Sequence, residues 1–211
     1  MSGDRGLVFI VDDDDAVGIA MARVLRASGF DAQHFTSASA FLRCRTDDRP
    51  ACVLLDVRMP EVNGLELQQA LTDAQALAVV FLTGHADVKT SVAAMKAGAV
   101  DFLTKPVEEE LLLSAVSRAV ERSEAAQAGD RERVGFLARL ARLTPRERQV
   151  GALVIQGLLN KQIAGEIGVS EITVKVHRGQ VMKKMGARTV VDLVRMADRL
   201  KLSASEPSGD R

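Results

Sequence analysis

Two hydrophobic rhythms divide this chain. In the first half, short apolar runs recur: Leu7-Val-Phe-Ile-Val11, Ala51-Cys-Val-Leu-Leu55, Ala78-Val-Val-Phe-Leu82 and the shorter Val100-Asp-Phe-Leu103. Runs of this length, bounded by polar or turn residues, fit strands buried on both faces of a parallel sheet. Asp31-Ala-Gln-His-Phe35 reads as a further short strand. Between them the spacing becomes helical. Residues 16–28 place Val17, Ala20, Met21, Val24 and Leu25 on one face and stop at Gly29; Ser37 caps a helix to Leu42. Residues 64–71 and 87–96 supply two more helices, the latter closed by Gly98. Strand and helix in strict alternation predict an α/β doubly wound, five-stranded parallel sheet with right-handed connections.

From Val107 the rhythm is helical throughout. Glu108, Glu109 and Glu110 occupy a first turn, where carboxylates favour the helix dipole, and Leu111, Leu112, Ala115, Val116 and Ala119 form the packing stripe. Residues 121–133 are charged and Ala-rich with little apolar stripe, which predicts an exposed helical linker interrupted or bent near Gly129. Thr144-Pro145-Arg146-Glu147 has the residues of a capping box with proline at the first helical position, opening a helix to Gly157. Asn160 is expected to cap a helix over 161–167 ended by Gly168, Ser170 one over 171–185 ended by Gly186, and a fourth helix covers 189–201. Short helices joined by a glycine turn, the third rich in Lys, His and Arg, predict a separate all-α four-helix domain of helix-turn-helix type. The expected division is 1–122, a helical linker 123–140, 141–203, and a polar tail 204–211.

Charge sharpens this division. The 211 residues carry no net charge, yet residues 1–123 hold 12 basic against 18 acidic residues, net −6, and residues 141–202 hold 12 against 5, net +7. A basic helical half points to a polyanionic partner. With 47% hydrophobic residues the chain is not disordered, and no apolar run approaches the roughly 20 residues of a membrane span. The polar stretch at 1–6 and the short run behind it are unlike a signal peptide, so a cytoplasmic location is expected. Cys44 and Cys52 lack metal-ligand spacing and are expected to be reduced structural thiols.

Candidate chemistry gathers where the strands end. Asp12 and Asp13 follow the first strand, Asp56 the third, Thr83 the fourth and Lys105 the fifth; in open α/β sheets this edge is where ligands bind. Crowded carboxylates need a cation, and hard oxygen donors suit Mg2+ with a phosphoryl group. Lys105 and Thr83 would hold phosphoryl oxygens while a carboxylate attacks phosphorus, with Asp56 as the preferred nucleophile and Asp12 and Asp13 holding metal. Asp14 and Asp15 read as a solvated helix start. In the basic half, Val174, His177, Val181 and Met185 lie on the packing side of the third helix, His177 as a packed or capping residue. Thr173, Lys175, Val176, Arg178 and Lys183 lie opposite, able to enter a major groove, and Lys161 is placed for phosphate.

Val11-Asp12-Asp13, Leu55-Asp56-Val-Arg-Met-Pro60, Leu82-Thr83-Gly84 and Asp101-Phe-Leu-Thr-Lys105-Pro106, taken in order, resemble the receiver domain of bacterial two-component response regulators over residues 7 to about 120. The resemblance implies that Asp56 accepts a phosphoryl group from a histidine kinase. It also implies Mg2+ or Mn2+ held by Asp13, Asp56 and the backbone carbonyl of Arg58, with Asp12 acting partly through water, and a switch pair of Thr83 and Phe102. Leu143-Thr-Pro-Arg-Glu-Arg, Gly157-Leu-Leu-Asn160-Lys-Gln-Ile-Ala164, Thr173-Val-Lys-Val-His-Arg178 and Met182-Lys-Lys-Met185 resemble the LuxR-type helix-turn-helix domain. That resemblance places base contacts at Lys175 and Val176 and backbone contacts at Lys161, Thr173 and Arg178, while a third base-contact position is Gly179, which offers no side chain. Together the two halves resemble response regulators of the FixJ/NarL group, and the Asn160-Lys-Gln-Ile-Ala-Gly165 stretch is similar to the StyR/TodT-type regulators of aromatic-hydrocarbon degradation. This implies a transcription regulator with a sensor histidine kinase, promoter duplex and RNA polymerase as partners, no membrane, and a homodimer on phosphorylation. A competing enzyme reading rests on Asp13-Asp-Asp15-Ala-Val17, which resembles the haloacid-dehalogenase-type phosphohydrolases, with Asp13 as nucleophile and Asp15 as acid/base.

Overall fold

The computed structural model describes residues 5–44, 49–60, 64–75, 77–84 and 88–199. Two compact units divide the chain, Met1–Ala128 and Gly129–Arg211.

In the first unit, strands β1 (Leu7–Val11), β2 (Asp31–Phe35), β3 (Ala51–Asp56), β4 (Ala78–Thr83) and β5 (Asp101–Thr104) form one sheet in the order β2-β1-β3-β4-β5. All the pairings are parallel. Helices α1 (Asp15–Ala27), α2 (Ala38–Leu42), α3 (Gly64–Gln75), α4 (Val88–Lys96) and α5 (Glu109–Ala141) follow the strands in turn. The period-two alternation of each strand sorts its side chains between two cores. Val8, Ile10, Cys52, Leu54, Val80 and Leu82 pack against Met21, Ala22 and Leu25 of α1 and Leu112, Ala115, Val116 and Ala119 of α5. Phe9, Val53, Leu55, Val79 and Phe81 pack against Phe41 of α2, Leu67 and Leu71 of α3, and Ala94 of α4. Burial on both faces is why β1, β3 and β4 read as near-continuous apolar runs.

Helix starts follow the capping residues. Asp14 accepts from the amides of Ala16 (2.9 Å) and Val17 (3.2 Å), so α1 begins one residue earlier than its apolar spacing indicates. Ser37 accepts from Ala40 N at 3.2 Å and opens α2 as predicted. Helix α3 continues to Gln75, beyond the predicted end at 71, and β5 begins at Asp101 rather than Val100. Asp87, expected to open α4, and the expected tail 204–211 lie outside the described residues.

The break expected near Gly129 is absent: α5 is one helix of 33 residues, Glu109–Ala141. A mid-helix glycine costs about 1 kcal/mol relative to alanine, and the Ala, Glu and Arg residues around it are strong helix formers that outweigh it.

In the second unit the last turns of α5 join α6 (Pro145–Ile155), α7 (Asn160–Ile167), α8 (Glu171–Met185) and α9 (Val190–Arg199). Phe136, Leu143, Val150, Leu153, Val154, Ile163, Val174, Val181, Met185 and Leu193 form their shared core. The capping box of α6 is complete: Thr144 Oγ1 accepts from Glu147 N at 3.3 Å, and Glu147 Oε2 accepts from Thr144 N at 2.8 Å. Asn160 does not cap α7; it is the first residue of that helix, and the cap position belongs to Leu159, whose amide donates to Gln162 Oε1 at 2.8 Å. The turn between α7 and α8 passes through Gly168 at φ 67, and α8 ends at Gly186 at φ 70, left-handed positions that glycine takes without strain.

Candidate functional site

Strand register brings the predicted acids together. Val11 pairs with Leu55, Leu82 with Asp56, and Thr104 with Thr83, so the residues after β1, β3, β4 and β5 emerge along one edge. Main-chain bonds continue past the strands: Val57 N donates to Leu82 O at 3.0 Å, and Lys105 N to Thr83 O at 2.7 Å. Gly64, at the start of α3, is fixed by this crowding. A Cβ there would stand 2.6 Å from the Asp56 carbonyl oxygen.

Lys105 is the hub. Its Nζ lies 2.5 Å from Asp12 Oδ2 and 2.6 Å from Asp56 Oδ2. Asp12 is fully buried and Asp56 nearly so, whereas Asp13 is exposed, and ligand oxygens of the three lie within 4.8 Å of one another. Burial, the largest single influence, pulls the Lys105 ammonium down, but its hydrogen bonds and charge attraction to Asp12 and Asp56 together outweigh it and hold its pKa above the ordinary lysine value. Three carboxyl groups thus gather around one ammonium, two of them buried and one open to solvent. Oxygen donors of this kind suit a small, hard divalent cation, and Asp13 is the solvent-exposed member of the group.

Other predicted residues take their places around this cluster. The amide of Arg58 donates to Asp56 Oδ1 at 2.9 Å, which brings the Arg58 main chain to the site. Thr83 is buried at the end of β4. Phe102 is half-buried on β5, its ring tilted at 43° to Phe81 with centroids 6.1 Å apart. Asp15 stands outside the cluster: it is exposed in the first turn of α1, its Oδ1 3.7 Å from His34 Nδ1.

His34 escaped the sequence reading. Its Nε2 donates to the carbonyl oxygen of Asp12 at 2.9 Å, and its ring fills the space beside Gly18, where a Cβ would sit 2.2 Å away. The signal was a histidine at the register position of Ile10 together with a glycine inside α1, two features that only the fold joins.

In the second unit, Lys161, Lys175 and Val176 are exposed, while Thr173 and Arg178 are half-buried. Arg178 Nη1 donates to Asn160 Oδ1 at 2.9 Å, which ties α8 to the start of α7. His177 is half-buried. Three further contacts, missed in the sequence, hold α7 and α8. Glu147 takes Lys184 Nζ at 2.6 and 2.9 Å, Arg146 donates to Ile167 O at 2.6 Å at the end of α7, and Arg139 on α5 donates to Met185 O at 3.3 Å at the end of α8. The Lys184 ammonium, followed by the Thr144 amide, holds the Glu147 carboxyl below its usual value.

A five-stranded parallel sheet with an acid-and-lysine cluster at its carboxyl edge is followed by a separate unit of short helices. Residues 8–117 match the response regulator receiver domain family, and residues 141–197 match the bacterial regulatory proteins of the luxR family. The chain belongs to the response regulators that carry a LuxR-type DNA-binding domain, transcriptional regulators of two-component systems. It is 44% identical to the transcriptional regulatory protein FixJ of Rhizobium meliloti over 90% of this chain and 94% of that one. It is 43% identical to the response regulator protein TodT of Pseudomonas putida over 95% of this chain and 89% of that one. The solved structure of the response regulator StyR superposes with a TM-score of 0.81 at 41% identity, covering 92% of this chain and 98% of that one. The phosphohydrolase reading gains no support: these matches account for both halves of the chain, and Asp15 lies away from the acids it would have to serve. No helix among the described residues is long and apolar enough to cross a membrane.

Proposed function

We propose that Asp56 is the phosphoacceptor of this regulator and that a sensor histidine kinase supplies the phosphoryl group. An Asp56 carboxylate oxygen attacks phosphorus, the new O–P bond forms as the donor's N–P bond breaks, and the electron pair leaves with the imidazole nitrogen, which takes up a proton. Asp13, Asp56 and the Arg58 carbonyl would hold Mg2+ or Mn2+, with Asp12 contributing partly through water, and such an ion would supply positive charge against the phosphoryl oxygens. Lys105 does the same from the protein side and Thr83 orients an oxygen, with Phe102 following Thr83 as the switch residue. The observation that carries this reading is the Lys105 ammonium bridging Asp12 and Asp56 beside an exposed Asp13. Incubation with acetyl phosphate and Mg2+ is expected to add one phosphoryl group to the wild type and none to Asp56→Asn; equal labelling of the two would refute it.

Phosphorylation shifts a pre-existing equilibrium whose readout is the face formed by α4 and β5. Val88, Val92 and Met95 follow one another at helical spacing on α4 and are exposed, which supports pairing of two copies through that face; residues 85–87 beside it lie outside the described residues. Pairing sets two α8 helices on inverted half-sites of a promoter duplex. Lys175 and Val176 contact base edges there, and Lys161, Thr173 and Arg178 contact the backbone. A reader that instead bound protein would lack the steep salt dependence that counterion release gives duplex binding.

A further inference from the structure

The outermost line of α8 is apolar where a DNA reader is expected to be polar. Ile172, Val176, Gly179 and Lys183 are spaced by four, three and four residues, so they lie along one side of the helix. The buried stripe Val174, Val181 and Met185 occupies the other side. All four outer residues are exposed, Ile172 at 77% and Val176 at 58%. Ile172 is the second residue of α8, in the part of a recognition helix that meets base edges. A β-branched apolar side chain held in water there does nothing for the second unit's own core. Gly179 on the same line is not demanded by the fold either, since a Cβ would meet nothing within 4 Å. Lys183 ends the line with a basic residue, Lys175 on α8 and Lys161 on α7 are further exposed lysines, and Glu171 is the one acid in α8. The surface is therefore an apolar ridge with a cationic border, complementary to a groove with anionic walls and methyl groups on its floor.

Resting on the DNA-binding reading above, we propose that Ile172 is a specificity-determining residue. With Val176, it reads the C5-methyl group of thymine in the major groove, and Gly179 lets the helix approach closely enough to do so. The sites this protein prefers then carry a thymine under Ile172 in each half-site.

The test uses the full chain and a duplex that it selects itself from a random-sequence pool. Each thymine of that duplex is replaced singly by uracil, which removes only the methyl group. For the wild type, one such replacement per half-site is expected to weaken binding about four-fold, the worth of one buried methyl group. Ile172→Ser is expected to bind the thymine duplex weakly and to be indifferent to that replacement, and Ile172→Val to retain part of the discrimination. Unchanged far-ultraviolet circular dichroism of each variant shows that the fold is intact. If wild type and Ile172→Ser respond alike at every thymine while still binding the selected duplex, the assignment of Ile172 is overturned and the DNA reading stands. If no sequence is enriched from the pool, the DNA reading fails and this assignment falls with it.

Discussion

Lys105 Nζ sits 2.6 Å from Asp56 Oδ2, and the same nitrogen holds the fully buried Asp12 at 2.5 Å. One ammonium thus bridges the two carboxyl groups. Replacing it by an apolar side chain of similar length leaves Asp12 buried without its cation, a change that costs about 3 kcal/mol in comparable buried pairs. Lys105→Met is therefore expected to destabilise the first unit by that order. Faster hydrogen exchange of the β3 amides would report it. Saturating Mg2+ should recover part of the loss, and an unchanged exchange rate without metal would contradict the role of Lys105.

Asp13 is the exposed member of the acid cluster, so its charge is available to an ion at little cost to the fold. The thermal midpoint of the wild type is expected to rise with Mg2+ as mass action requires, by about 2.7 kcal/mol of stability at a hundred times the dissociation constant. Asp13→Asn should match or exceed the wild type without metal and respond far less to it. A full Mg2+ response in Asp13→Asn would remove Asp13 from the ligand set.

Glu147 links the start of α6 to Lys184 near the end of α8 and has its pKa lowered below the usual 4.5. A lowered folded-state value means that its contribution to stability is complete above 4.5 and is lost as pH falls through the lower folded value. Glu147→Gln removes that contribution. Calorimetric midpoints of the second unit's transition should therefore differ between wild type and Glu147→Gln at neutral pH and converge in acid. A gap of constant size across that range would show that Glu147 acts only by shape.

Cys52 lies fully buried in β3, and burial pushes its thiol up to about 12. The thiolate is the reactive species, so alkylation at mildly alkaline pH should touch half-buried Cys44 first and reach Cys52 only as fast as β3 opens. Labelling of Cys52 at the rate of a free thiol would contradict its place in the sheet.

How much of this was legible depended on whether the controlling interaction was local. The bounds of β3 follow from an apolar run stopped by Asp56, and the start of α6 from Thr144, Pro145 and Glu147 in consecutive roles. The acid, threonine and lysine positions were legible because parallel strands present their ends on one edge. Non-local partners were not legible. His34 reaches the Asp12 carbonyl only through the β1–β2 register, and Arg139 reaches Met185 only once α5 packs beside α8. The continuity of α5 was misread because Gly129 and the missing apolar stripe were weighed above the propensity of the whole segment. Asn160 was misread for a related reason: it is a good capping residue by type, but Gln162 satisfies the Leu159 amide and frees Asn160 to receive Arg178.

Lys175 is exposed on the proposed reading face of α8. Lys175→Ala is expected to weaken binding to the selected duplex by about ten-fold and to lose discrimination at one base pair per half-site. Uniform weakening across all sequences would move Lys175 from base reading to backbone contact.

In the proposed mechanism the carboxylate at the sheet edge governs the helix that meets DNA. The most direct measurement of that control is the affinity of the full chain for its selected duplex before and after treatment with acetyl phosphate and Mg2+, at fixed salt. Wild type is expected to gain roughly ten-fold, within the usual range of coupling between sites, and Asp56→Asn to gain nothing. An equal response in both proteins, or none in the wild type once it is phosphorylated, would contradict the account.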